Sequence, residues 1–190
     1  MEKFIKPRLL TPSGQSHKKF WQAAGLCALT AAIFFLPFYL LDGGFFHYAG
    51  DFNSQQISFY RYMNGFVKGA GYPDSTFAGA THNTFSWATD LGSGVMNAYS
   101  FYLYGSPFFW FSLLFPQGWL PYLMVPLLVL KFGGGGGGAY LSLRRYVKNA
   151  NYAVLGACLY ALSGFAVYNV FFNHFVDVVA LFPYLLWALD

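Results

Sequence analysis

A few side chains in this sequence are of types and spacings that could do chemistry. Asp51 stands in Tyr48-Ala49-Gly50-Asp51-Phe52-Asn53, about ten residues after a long apolar run. A carboxylate flanked by small Gly50 can approach a hydroxyl and take its proton as a general base. A helix expected to begin two residues later would favour its ionised form through the helix dipole. Asp51 could equally be a loop acid that only caps or solubilises. His174 and Asp177 lie three apart, on one side of a turn if the region is helical. In Asn173-His174-Phe175-Val176-Asp177, His174 could bind a phosphate with Asp177 orienting its ring, or the two could be an interfacial pair satisfied by water. Two ligands do not make a metal site, so none is assigned and a divalent cation is left open. Asp90, in Thr89-Asp90-Leu91-Gly92-Ser93-Gly94, is either a substrate contact or a side chain bonded to a tight Gly-rich turn. Arg61 and Lys68, seven apart on one helix face, could meet a lipid phosphate or head groups in general.

Other chemistries have no support. There is no Gly-x-Ser-x-Gly elbow, no His-Glu-x-x-His, no Cys-x-x-Cys and no dinucleotide fingerprint. Cys27 and Cys158 both fall inside apolar runs and read as small buried hydrophobes.

The elements that must position these residues follow from composition. Of 190 residues, 56% are hydrophobic and 23% aromatic, and only 9% are charged. A soluble domain carries about a quarter of its residues as Asp, Glu, Lys or Arg. With a mean hydropathy of +0.41, the chain has too little charge to coat a water-exposed globule, which excludes a soluble domain and a disordered chain. The net charge of +4 sits in two short clusters. It reads as a topology signal and not as a nucleic-acid-binding face.

The fold class expected is all-α and polytopic, with a long structured first loop outside the membrane. Residues 1–20 form a basic tail, with Lys3, Lys6, Arg8, Lys18 and Lys19 against Glu2 alone. Such a tail stays cytoplasmic, placing the N-terminus inside. Residues 21–41 are uncharged and long enough to cross as a retained anchor, since no small-residue cleavage site follows. Residues 42–119 form the extracytoplasmic loop. A second crossing at 120–143 ends at Arg144, Arg145 and Lys148, in a cytoplasmic loop over 144–151. A third crossing at 152–171 leads to an outer turn at 172–177. Residues 178–190 begin a fourth crossing that the chain cuts short.

The loop is too rich in aromatics for a flexible linker and is expected to fold on the membrane surface. Asn53 reads as a helix cap with Gln56 as its box partner. Phe59, Met63, Phe66, Val67 and Ala70 then give an apolar face to an interfacial helix of about four turns, stopped by Gly69 and Gly71. Ser106 to Pro116, SPFFWFSLLFP, is too short to cross and reads as a re-entrant or interfacial piece. The aromatics from Tyr99 to Trp110 suit an interface belt, or a surface for a sugar ring or polyprenyl tail. Gly133 to Gly138, six consecutive glycines inside the second crossing, fit either close helix packing or a substituted stretch, and no Walker pattern follows them.

Several blocks in order, GDFNSQQISFYRYMNGFVKG, FSWATDLGSGVMNAYSFYLYGSPFFWFSLLFP, LRRYV and LYALSGFAVYNVFFNHFVDVVALFPYLLWALD, resemble the N-terminal part of the YfhO family of bacterial membrane proteins. The family is grouped with the GT-C membrane glycosyltransferases, whose members are longer. The resemblance implies sugar transfer from a polyprenyl-phosphate donor to a cell-envelope polymer such as lipoteichoic acid, outside the cytoplasmic membrane. It makes Asp51 the catalytic acid of the first loop, and places His174 and Asp177 in a block where a site role is plausible. Arg61, Lys68 and Asp90 are kept as substrate contacts. The glycine run departs from the mixed small-apolar helix that the family has there. A transporter or lipid flippase component is the competing expectation.

Overall fold

The computed structural model describes residues 16–48, 50–68, 85–86 and 92–189. It is all-α. Helix α1 runs Ser16–Leu41, a π-helical turn Phe52–Ile57 leads into α2 Ser58–Val67, and α3 Val95–Tyr99 leads into a second π-helical turn Ser100–Tyr104. After α4 Pro107–Ser112 come α5 Leu120–Leu143, α6 Ala150–Ala161, α7 Gly164–Tyr168 and α8 Asn173–Leu189. Two-residue strands β1 Phe85–Ser86 and β2 Ser93–Gly94 pair antiparallel and add nothing larger.

Among the described residues, three stretches are long and apolar enough to cross a membrane: His17–Leu41, Gln117–Leu143 and Ala150–Tyr168, with 25, 27 and 19 residues. About 20 apolar residues span a hydrocarbon core. The third is interrupted where Leu162 leaves helical geometry, and the Ser163 hydroxyl then caps α7 by accepting from Ala166 N. Pro37, Pro126 and Pro183 sit inside α1, α5 and α8.

The chain forms two compact units. One contains residues 16–34, 128–168 and 178–189. Here α1 turns Trp21, Leu29 and Ile33 outward while Ala23, Cys27 and Ala31 are buried at four-residue spacing. That exposed apolar surface is what a helix facing lipid presents. The buried small residues meet the glycine run, which is helical throughout. A Cβ on Gly136 would lie 2.5 Å from the Cys27 sulfur, and one on Gly133 would lie 3.2 Å from Ala28 Cβ. On another side of α5, a Cβ on Gly138 would lie 2.6 Å from the Tyr184 ring, and one on Gly135 3.3 Å from the Val179 carbonyl. Gly133, Gly135, Gly136 and Gly138 therefore let α1 and α8 approach the α5 backbone more closely than side chains would permit. Close packing is the account of the run that the structure supports.

The second unit contains the described residues of 35–127 together with 169–177. Its centre is aromatic. Phe46 meets both Phe35 and Phe52 edge-to-face, at 5.4 and 5.2 Å between centroids. Phe52, Tyr60, Met63, Leu103 and Phe109 are fully buried.

Two local expectations are corrected here. Asn53 does not cap a helix with Gln56 as partner. The helical turn starts earlier, because Gly50 adopts φ +63° and its carbonyl accepts from Asn53 N, Ser54 N and Ser54 Oγ. Asn53 Oδ1 instead accepts from Tyr48 N. The buried face of α2 is also only partly the expected one: Met63 is buried, but Phe59, Phe66 and Val67 are half-exposed, and Phe52, Gln56, Tyr60 and Asn64 are buried at intervals of four. A π-helical turn has a longer period than 3.6 residues, so side chains four apart align more nearly along its axis. Gly69, Ala70 and Gly71 lie outside the described residues.

Candidate functional site

The second unit brings the start of the α2 segment and the start of α8 together. Gly50 makes the first contact. Its left-handed backbone conformation suits glycine, and a Cβ there would fall on the Phe171 ring. Asp51 follows directly as the N-cap of the π-helical turn, half-buried, and its side chain makes no capping hydrogen bond. The carboxylate is thus not consumed in holding the helix start.

Gln56 makes the second contact. It is buried, and its Nε2 lies 3.2 Å from His174 Nδ1 across 118 residues of sequence. Asn173 to Asp177, expected as an outer turn, are instead the first residues of α8. The helix is entered as Phe175 N donates to the Phe172 carbonyl. His174 and Asp177 consequently share one side of a helical turn, and both are buried. The His174 ring lies among aromatic rings, edge-to-face with Tyr102 at 4.7 Å and tilted against Phe175 at 4.5 Å.

Tyr60, one helical turn beyond Gln56, belongs to the same neighbourhood. Burial pushes its phenol well above the ordinary tyrosine value; the nearby Asp177 carboxylate adds to the effect, and the proximity of the Ser106 side chain opposes it. Tyr60 therefore keeps its proton throughout the neutral range.

The proposed cations take other positions. Arg61 is half-buried on α2, and its backbone carbonyl accepts from Gln117 Nε2 at 2.8 Å. Lys68 is exposed at the end of α2, and its ammonium donates to the Phe115 carbonyl. With Asn64 Nδ2 reaching the Ser112 and Phe115 carbonyls at 3.4 Å, these bonds tie α2 to the end of α4. Ser106 itself caps α4, accepting from Phe109 N with Pro107 in the first position. Nearer α1, Asp42 Oδ2 accepts from His47 N and pairs with His47 Nδ1 at 3.0 Å. The His47 backbone N–H, then its ring, hold the Asp42 carboxyl below its usual range. Asp90 lies outside the described residues.

Gln56 and Tyr60 lie in this neighbourhood and were not among the residues expected there. Their signal was a polar stripe, Gln56, Tyr60 and Asn64, at intervals of four on a segment otherwise judged by its apolar positions. Lys131, in the other unit, was also passed over: it is fully buried inside a membrane-length helix, where an ionisable residue is a functional candidate by default. Among the described residues, no three His, Cys, Asp or Glu side chains gather as metal ligands.

Comparison with known proteins agrees with the all-α membrane architecture. The sequence profile described as bacterial membrane protein YfhO matches residues 26–190. Comparisons with curated proteins and with solved structures gave no match. With that profile covering all but the first 25 residues, this chain belongs to the YfhO family of bacterial membrane proteins.

Proposed function

We propose that the chain is part of a membrane glycosyltransferase that moves a sugar from a polyprenyl-phosphate carrier to a cell-envelope polymer such as lipoteichoic acid, on the extracytoplasmic side. Asp51 acts as general base. It takes the proton of an acceptor hydroxyl, whose oxygen attacks the anomeric carbon and inverts it. The bond from that carbon to the phosphate oxygen breaks, and polyprenyl phosphate leaves with the electron pair. His174, held beside Gln56, is the group that meets that phosphate, and Arg61 and Lys68, farther along α2, are kept as further contacts to the donor. Electrostatic help of this kind is usually the largest contribution to such a step. Asp177, one turn along α8 from His174, and Asp90 are kept as further substrate contacts.

One observation carries this reading. The contact between Gln56 and His174 brings the helical turn that begins at Asp51 to the turn that carries His174 and Asp177. Sugar-transfer chemistry needs a base and a phosphate-binding group within one site, and these segments supply both types.

Lys131, buried in a crossing helix, favours a second reading, a transporter or lipid flippase component whose intramembrane charges line a path. Asp51→Asn in the full-length protein separates the two. Loss of polymer glycosylation with normal movement of lipid-linked sugar supports transfer; normal glycosylation contradicts it.

A further inference from the structure

Gln56 is 1% exposed and its amide oxygen meets no donor among the described residues, so its amide nitrogen makes the contact that decides its role. The atom it presents to His174 Nδ1 is its amide nitrogen, at 3.2 Å. An amide nitrogen can only donate. The lone pair of Nδ1 must then accept, which leaves the ring proton on Nε2. We infer that Gln56 is a positioning residue that holds His174 in its Nε2–H tautomer.

Other contacts act in the same direction. Tyr102 stands edge-to-face on the imidazole and Phe175 lies tilted against it, at 4.7 and 4.5 Å between centroids. Those rings resist the ring rotation that would exchange the two nitrogens. Gln56 in turn sits in a π-helical turn whose start is pinned by Gly50 and whose neighbours Phe52 and Tyr60 are fully buried. The titratable groups around the ring include Tyr102, in edge-to-face contact, and Asp177, one turn along α8; Tyr60, one turn from Gln56, remains protonated. A proton on Nδ1 would require the buried Gln56 amide to turn over and present its oxygen.

The consequence rests on the glycosyl-transfer reading. His174 meets the departing phosphate as a neutral N–H donor through Nε2, and a positive charge must come from elsewhere. A neutral donor suits a group that must release its product, because a hydrogen bond to a charged donor is about twice as strong.

The test is spectroscopic and independent of activity. The full-length protein is labelled with 15N-histidine in lipid nanodiscs, and the His174 signals are identified by their loss in His174→Gln. Near neutral pH, the wild-type ring should show Nε2 protonated and Nδ1 unprotonated. Gln56→Glu, nearly isosteric but able only to accept when ionised, should move a proton onto Nδ1. Gln56→Leu should let the two tautomers exchange. Protonation of Nδ1 in the wild type, alone or together with Nε2, would overturn the inference. So would a His174 spectrum indifferent to both Gln56 substitutions. Neither result bears on whether Asp51→Asn abolishes transfer, so the two claims fail separately.

Discussion

At the scale of single residues, Gly50 and Tyr60 make the sharpest claims. Gly50→Ala would both strain a left-handed backbone position and push a methyl group into the Phe171 ring. Such strain costs about 1–3 kcal/mol. Thermal unfolding in detergent should therefore show a lower midpoint, and polymer glycosylation should fall because Asp51 is the next residue. Tyr60 carries a pH signature. Its pKa is higher folded than unfolded, so its contribution to stability is complete below the ordinary tyrosine value and is lost as pH rises past about 10. Unfolding midpoints measured from about pH 8 to pH 11 should drop less for Tyr60→Phe than for wild type. An identical alkaline drop in both would contradict the buried phenol. Asp51 stands out in the sequence as a candidate because a carboxylate beside glycine after an apolar run is a local pattern. Gln56 does not, because its role depends on His174, 118 positions away.

At the scale of elements, the crossings were legible and the details of α2 were not. Long uncharged runs announce themselves through length alone. The buried face of α2 departs from the expectation at all but Met63 of its described apolar positions, because the expectation assumes a uniform 3.6-residue period and the π-helical turn Phe52–Ile57 breaks it. The glycine run was visible but ambiguous, since close packing depends on what faces it. Cys27, Ala28 and Tyr184 do so here. A paired substitution checks this. A Cβ on Gly25 of α1 would have nothing within 4 Å, whereas one on Gly136 of α5 would meet Cys27. Gly25→Ala should be neutral or stabilising by up to about 1 kcal/mol, as a helical glycine replaced by alanine. Gly136→Ala should destabilise by about 1–3 kcal/mol, the usual cost of overpacking. Thermal midpoints of the two variants that move together would remove the packing account.

At the scale of the whole molecule, orientation is the proposal that connects chemistry to location. In that proposal, the basic tail and the Arg144, Arg145 and Lys148 cluster lie inside together with the loop after α5, and Asp51 lies outside. In a background where Cys27 and Cys158 are alanine, Ser54→Cys should react with a membrane-impermeant maleimide added to intact cells. Lys148→Cys should react only after the membrane is opened. Both positions are exposed, so the opposite pattern would put Asp51 on the wrong face for a donor carried outside. The most direct measurement of the central claim uses the purified full-length protein in lipid vesicles with radiolabelled hexosyl polyprenyl phosphates and the envelope polymer. The account predicts release of polyprenyl phosphate and a product of inverted anomeric configuration, slowed about 100- to 10,000-fold in Asp51→Asn, the range of a lost general base. Transfer at the wild-type rate by Asp51→Asn, or a product that retains configuration, would contradict it.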